Sequence, residues 1–342
     1  GVLAPSFVGS VQAAEPPVLT GNLWEFEVGD SVVAPLALDD HGVYFGSKDQ
    51  YVYALDRQTG KLRWRFPTDG LIRGGVAVRE GIVYIGSADH TLYALRANDG
   101  TLLWRFSTVG AIMGSPLVTG NRVVFGSNDH HVYCLDRLNG HLLWRHRTGD
   151  TVECRPATSL KKVFVGSGDN RVYALDKETG RLNWAFSCTA SVDGGLLVHD
   201  GSVYATDRAG FLYAIEEATG TLVWKCNTGG SLEAFPVVGP EGRIFLGGGH
   251  KNGRISCINT KGKMLWQRDL GGSAFGPVCL ASDLVWATSS HGTVVGSNPE
   301  TGKKRVETDT DAGVFGGIRV WGKTLFWADD SGKVTARRLG RN

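Results

Sequence analysis

Tryptophan recurs in this chain at a fixed step. Trp24, Trp64, Trp104, Trp144, Trp184 and Trp224 stand 40 residues apart, Trp266 follows after 42, and Val306 takes the same place 40 residues later. Each unit ends in a variant of one phrase: ALDRQTGKLRW closing at Trp64, ALRANDGTLLW at Trp104, CLDRLNGHLLW at Trp144, ALDKETGRLNW at Trp184 and AIEEATGTLVW at Trp224. Behind them come the decayed forms CINTKGKMLW and GSNPETGKKRV. Before the phrase lie short β-rich runs such as VYFGS and YVYALD, split by polar turns (KDQ, ADH, NDHH, GDN). Runs of this length between turn residues read as strands and hairpins, and no stretch carries a helical period. Four short strands per ~40 residues make one blade of a β-propeller, in which each blade buries its faces against its neighbours.

The last unit (VFGGIRV, TLFWADD, KVTARRL) holds three strands, while LWEFEV at 23–28 carries Trp24 in the fourth-strand position with no first three strands before it. Joining the two completes an eighth blade and removes the free edge that an open sheet exposes. The sequence therefore predicts an all-β, eight-bladed propeller over 23–342, with four-stranded antiparallel blades and a ring closed by strand 23–28. The tryptophans read as packing devices, each on an outer strand against the next blade's turn, with an indole N–H that needs one acceptor. In that turn, DRQTG at 56–60, Asp56 and Thr59 bond nearby backbone and Gly60 supplies positive φ.

Composition agrees with a turn-rich closed sheet. The chain has 48 glycines but only 11 prolines among 342 residues, and glycine well above its usual ~7% share without extra proline marks turns rather than disorder. The formal net charge is +2, from 36 basic and 34 acidic residues. No global charge excess exists to steer nucleic acid or an anionic membrane surface. No apolar run reaches the ~18 residues that a transmembrane helix needs.

The A-x-D-x-x-T-G-x-x-x-W phrase, intact at 54–64 and 174–184 and preceded by V-Y-x-G-S-x-D-x-x-x-Y-A-L-D, resembles the quinoprotein (PQQ-like) eight-bladed propeller repeat over roughly 23–339. The resemblance implies the fold. It implies three kinds of function: PQQ-dependent dehydrogenases, BamB-like lipoproteins of outer-membrane β-barrel assembly, and sensor propellers fused to kinases or adenylating enzymes. The dehydrogenases it evokes are longer, with insertions that complete a calcium and quinone site and often a disulfide between adjacent cysteines. This chain has no Cys-Cys pair, and its only departure from the 40-residue period is two residues at HKNG, 250–253. None of that family's catalytic or calcium residues can be placed on it.

Where neighbours repeat and one position varies, specificity is expected. Aligning the first strand of each unit (SVVAPLAL, LIRGGVAV, AIMGSPLV and so on) gives a fourth column that is always small: Ala34, Gly74, Gly114, Cys154, Gly194, Ala234, Gly276 and Gly316. That suits crowded inner strands around the axis. The third column is Val33, Arg73, Met113, Glu153, Asp193, Glu233, Phe275 and Phe315. In a propeller these positions ring the mouth of the central channel. They predict an axial pocket, acidic on one arc and aromatic on the next, for a cationic or mixed ligand or a partner's inserted side chain. The plainer alternative is a solvated channel mouth in which Glu153 or Asp193 pairs with Arg73 or Arg155 through water.

His90, His130, His131, His250 and His291 fall in second-to-third-strand turns, and Asp49, Asp89, Asp129 and Asp169 recur there at the repeat step. Both sets read as hairpin chemistry, because adjacent strand residues point to opposite faces and no convincing metal spacing accompanies them. The six cysteines form no framework; Cys134 and Cys257 take the slot that is Ala54, Ala94 and Ala174 elsewhere, as small buried hydrophobes. Cys188 and Cys226, in neighbouring blades, are the one pair worth testing.

Residues 1–22 lie outside the repeat. GVLAPSFVGSV resembles the end of a signal-peptide apolar region, with Val11-Gln12-Ala13 as a cleavage signal; the segment fits an inter-domain linker as well. No lipobox cysteine is visible in it. Export to the periplasm is the favoured expectation, although unpaired cysteines point the other way. The leading functional expectation is a non-catalytic propeller that docks protein partners through one face, with no cofactor. A sensor propeller with a quinone-like ligand on the axis is second, and a PQQ-dependent oxidoreductase third.

Overall fold

The computed structural model describes residues 17–249 and 253–341. The expected signal-peptide remnant, His250 and most of the HKNG insertion lie outside the described residues. Among the described residues thirty-two strands form eight separate four-stranded sheets, with one short 3-10 turn at Pro240–Gly242. Seven sheets use four consecutive strands each, from β2 (Ala37–Leu38), β3 (Gly42–Gly46), β4 (Tyr51–Asp56) and β5 (Leu62–Pro67) in the first blade onward. The eighth has the order β1-β32-β31-β30, so β1 (Pro17–Glu27) closes the ring against β32 (Lys333–Arg341).

The closing strand begins at Pro17 rather than at Leu23. Pairing continues from Trp24↔Ala336 back to Pro17↔Arg341, with register shifts on either side of Asn22. The inner strands differ from expectation in the other direction. Of the eight columns aligned at 31–38, only Ala37 and Leu38 pair as β2, and the corresponding strands of the other blades hold two or three residues. The preceding residues run beside the axis too close to the next blade for a ladder to form. A Cβ on Gly74 would lie 2.5 Å from the Gly114 carbonyl oxygen, and one on Gly316 would lie 2.3 Å from that of Ala34. Column four is small because neighbouring blades touch there through backbone.

Each tryptophan at the repeat position locks one blade to the next. Trp64 donates to the Ala97 carbonyl at 2.9 Å, Trp104 to Arg137 at 3.0 Å and Trp144 to Lys177 at 3.0 Å, and Trp24, Trp184, Trp224 and Trp266 repeat the bond. The ring lies flat over the turn glycine that supplies positive φ. At Gly100, φ is 75° and a Cβ would stand 2.8 Å from the Trp64 ring. Val306 breaks the series for a topological reason. Its neighbour is the eighth blade, whose third and fourth strands are β32 and β1, so no turn joins them; Val306 is buried instead in an apolar cluster that includes Leu339 and is flanked by Leu19.

The recurrent turn aspartates are structural. Asp49 accepts from the Tyr53 hydroxyl at 2.7 Å and from the Gly29 amide of the preceding loop at 3.0 Å, and Asp89, Asp129 and Asp169 repeat both bonds. In blade five Asp207, from the column two positions earlier, takes over the bond to Tyr213. His90 and His130 occupy the positive-φ position of these hairpins. All six cysteines are free, Cys188 and Cys226 included. Burial pushes the Cys257 thiol up to about 11 and those of Cys134 and Cys154 to about 12, which keeps them neutral.

Candidate functional site

The axial channel forms because the inner segments are extended and alternate: even columns pack between blades, odd columns face the axis. Ile72, Ile112, Val152 and Val192 of column two are fully buried or nearly so, each seated on a glycine of the previous blade such as Gly46. Columns three and five therefore point inward. All eight column-three side chains, Val33, Arg73, Met113, Glu153, Asp193, Glu233, Phe275 and Phe315, line one cavity of about 510 Å³, and Arg155 of column five lies in it as well.

The aromatic and acidic arcs have distinct geometry. Phe275 and Phe315 stack with centroids 5.4 Å apart and planes at 21°. Asp193 does not pair with Arg73 or Arg155; it meets Arg208, Nε to Oδ2 at 2.5 Å, and accepts from Ser191 Oγ at 2.9 Å. Glu153 accepts from Asn128 Nδ2 at 3.1 Å, and the Asn128 Oδ1 is buried without a partner. Glu233 accepts a 3.4 Å bond from Ser231 Oγ. Among the described residues neither Glu153 nor Glu233 has a basic partner.

A second ring of residues joins the first, and inspection of the inner strands alone misses it. Lys48, Arg208 and Asp330 reach the cavity from the tips of second-to-third-strand hairpins. They stand in one column of the repeat, Lys48, Ala88, Asn128, Gly168, Arg208, Ser290 and Asp330, which varies even among the first four blades, where the Gly-Ser before it is constant. The same criterion that selects column three would have found it. With these included, the lining balances Lys48, Arg73, Arg155 and Arg208 against Glu153, Asp193, Glu233 and Asp330. The acidic arc is local, and one of its three members is already neutralised.

Arg155 marks the floor of this cavity. Its guanidinium lies over the Phe235 ring at 5.3 Å, from blade four across to blade six. Below that contact the channel widens again into a second cavity of about 560 Å³ toward the opposite face, lined by Arg155, Phe235, Arg319 and apolar residues of the inner strands. Although Arg155 keeps much of its surface open to channel water, the enclosing walls hold its pKa below the ordinary guanidinium range.

A calcium–quinone centre of the kind the repeat implies needs several oxygen ligands converging on one ion. Among the described residues no three His, Cys, Asp or Glu side chains are grouped closely enough to hold a metal. The mouth carboxylates are each turned to separate partners, and the two phenyl rings stack on one another. This donor set does not fit that centre.

Comparison with known proteins places the fold. No curated protein matches the chain significantly in sequence. The structure is similar to that of BamB from Moraxella catarrhalis, with a TM-score of 0.80 at 20% identity, covering 94% of this chain and all of that one. It is equally similar to the computationally designed Ika8 protein (TM-score 0.81, 19% identity, covering 93% of this chain and 99% of that one). Quinohemoprotein alcohol dehydrogenase from Comamonas testosteroni follows at TM-score 0.81 and 15% identity, covering 94% of this chain and 77% of the enzyme. At such identities these likenesses speak for architecture alone. The family model described as outer membrane protein assembly factor BamB matches residues 48–161, 151–248 and 208–340, and the chain belongs to that family.

Proposed function

We propose that the chain is a non-catalytic binding scaffold of the bacterial envelope, a rigid ring that docks a protein partner on the face carrying the axial mouth. One observation carries this reading: the positions that vary while the repeat is maintained, column three and the hairpin-tip column, converge on a single cavity. Glu153 and Glu233 without basic partners, beside the buried acceptor Asn128 Oδ1, suit a partner's inserted lysine or arginine, and the Phe275–Phe315 stack suits its aliphatic stem. Membership in a family described by outer-membrane assembly supports the envelope setting.

The test is affinity capture from native extract with the wild-type chain and with Glu153→Ala, Asp193→Ala and Glu233→Ala combined. The expected result is at least a tenfold loss of affinity for the captured partner, about 1.4 kcal/mol, with the fold retained by circular dichroism. Unchanged affinity removes the mouth as the docking site. A sensor with a small ligand stacked at Phe275 and Phe315 is the second reading, favoured by the cavity volume of about 510 Å³. The enzymatic reading is tested separately by a dye-linked dehydrogenase assay with added quinone and calcium, where turnover overturns the proposal.

A further inference from the structure

The lower cavity is lined by three arginines, and two of them, Arg155 and Arg319, meet no acid among the described residues. Arg155 belongs to blade four and Arg319 to blade eight, on opposite sides of the ring, and both line the same chamber of about 560 Å³. Arg155 touches the Phe235 face. Arg319 donates through Nη1 to its neighbouring Ile318 carbonyl at 3.1 Å. Among the described residues neither has a carboxylate partner. Arg79, also on the chamber wall, is already paired with Glu80 at 3.4 Å. Burial pushes Arg319 down to about 10; the nearby Cys279 works the other way, and the like charge of Arg155 adds a smaller downward push. A guanidinium fork is shaped for the two oxygens of a carboxylate or phosphate.

From this arrangement we infer that the lower chamber binds a small oxyanion, a phosphate group or a short dicarboxylate, between Arg155 and Arg319. The walls around the pair are Gly75, Ser115, Pro116 and Leu117 on one side and Phe235 on the other. They supply little competing charge and leave Ser115 as a further hydroxyl donor. The site shares Arg155, Ser115 and Phe235 with the mouth cavity but none of the mouth carboxylates Glu153, Asp193 and Glu233.

The test is calorimetric titration of the full chain with inorganic phosphate and, separately, with succinate, at constant ionic strength made up with sodium chloride. Saturable binding of at least one of them at one site per chain is expected, and whichever binds identifies the group. Arg155→Met and Arg319→Met should each weaken it tenfold or more. The combined Glu153→Ala, Asp193→Ala and Glu233→Ala variant should not weaken it, which separates this site from the mouth. Absence of saturable binding of both anions to the wild-type chain overturns the inference whether or not the arginine variants fold. So does binding that survives in a folded Arg155→Met/Arg319→Met double variant.

Discussion

At the scale of single residues, the inter-blade lock explains why tryptophan, rather than any large apolar residue, recurs. The indole covers a turn glycine and its N–H satisfies a carbonyl that the turn leaves over. Neighbouring residues modulate how much that bond matters. The Arg137 carbonyl receives Trp104 and also the Tyr84 hydroxyl at 3.0 Å, whereas the tyrosine position serving Lys177 is Val124, so Trp144 is the side chain that meets that carbonyl. Trp144→Phe should therefore cost roughly 1–2 kcal/mol for the unmet acceptor, beyond the smaller ring, and Trp104→Phe less. Guanidinium denaturation midpoints of the two variants measured side by side check the order; equal losses would show that the bond adds nothing to packing.

Among whole elements, the ring seam is where the repeat had to change. A fourth-strand tryptophan is useful only if the next blade has a turn between its third and fourth strands, and the eighth blade, assembled from β32 and β1, has none. Val306→Trp should thus destabilise by about 1–3 kcal/mol through overpacking of the apolar cluster that includes Leu339 and is flanked by Leu19. The same blade measures what the sequence could convey. The 40-residue step made the blade count and the closing strand readable from Trp24 alone. The start of β1 at Pro17 was not readable, because PVLTGN carries no repeat motif and its strand character comes from pairing with β32 across the ring. The inner strands were legible as columns but not as ladders, since backbone contact between blades at Gly74 and Gly316 acts between segments distant in sequence.

For the whole molecule, the ring sets repeated positions to hold blades together and leaves variable ones facing the axis. Column three could be read because its residues share one repeat position; Lys48, Arg208 and Asp330 reach the same cavity from hairpin tips, so their convergence is a property of the closed disc. That convergence turns an apparently acidic arc into a charge-balanced mouth, consistent with the chain's formal charge of +2. It also separates the mouth from the arginine-lined chamber below, with Arg155 on Phe235 as the boundary. The central claim is that partners are recognised at the mouth. Site-specific photocrosslinking in cells that make this chain tests it, with the crosslinker placed at Met113 in the mouth or at Leu143, an exposed residue of the outer rim. Crosslinks to a defined protein partner from position 113 and none from 143 are expected; the same partner captured from 143 and not from 113 would contradict the account.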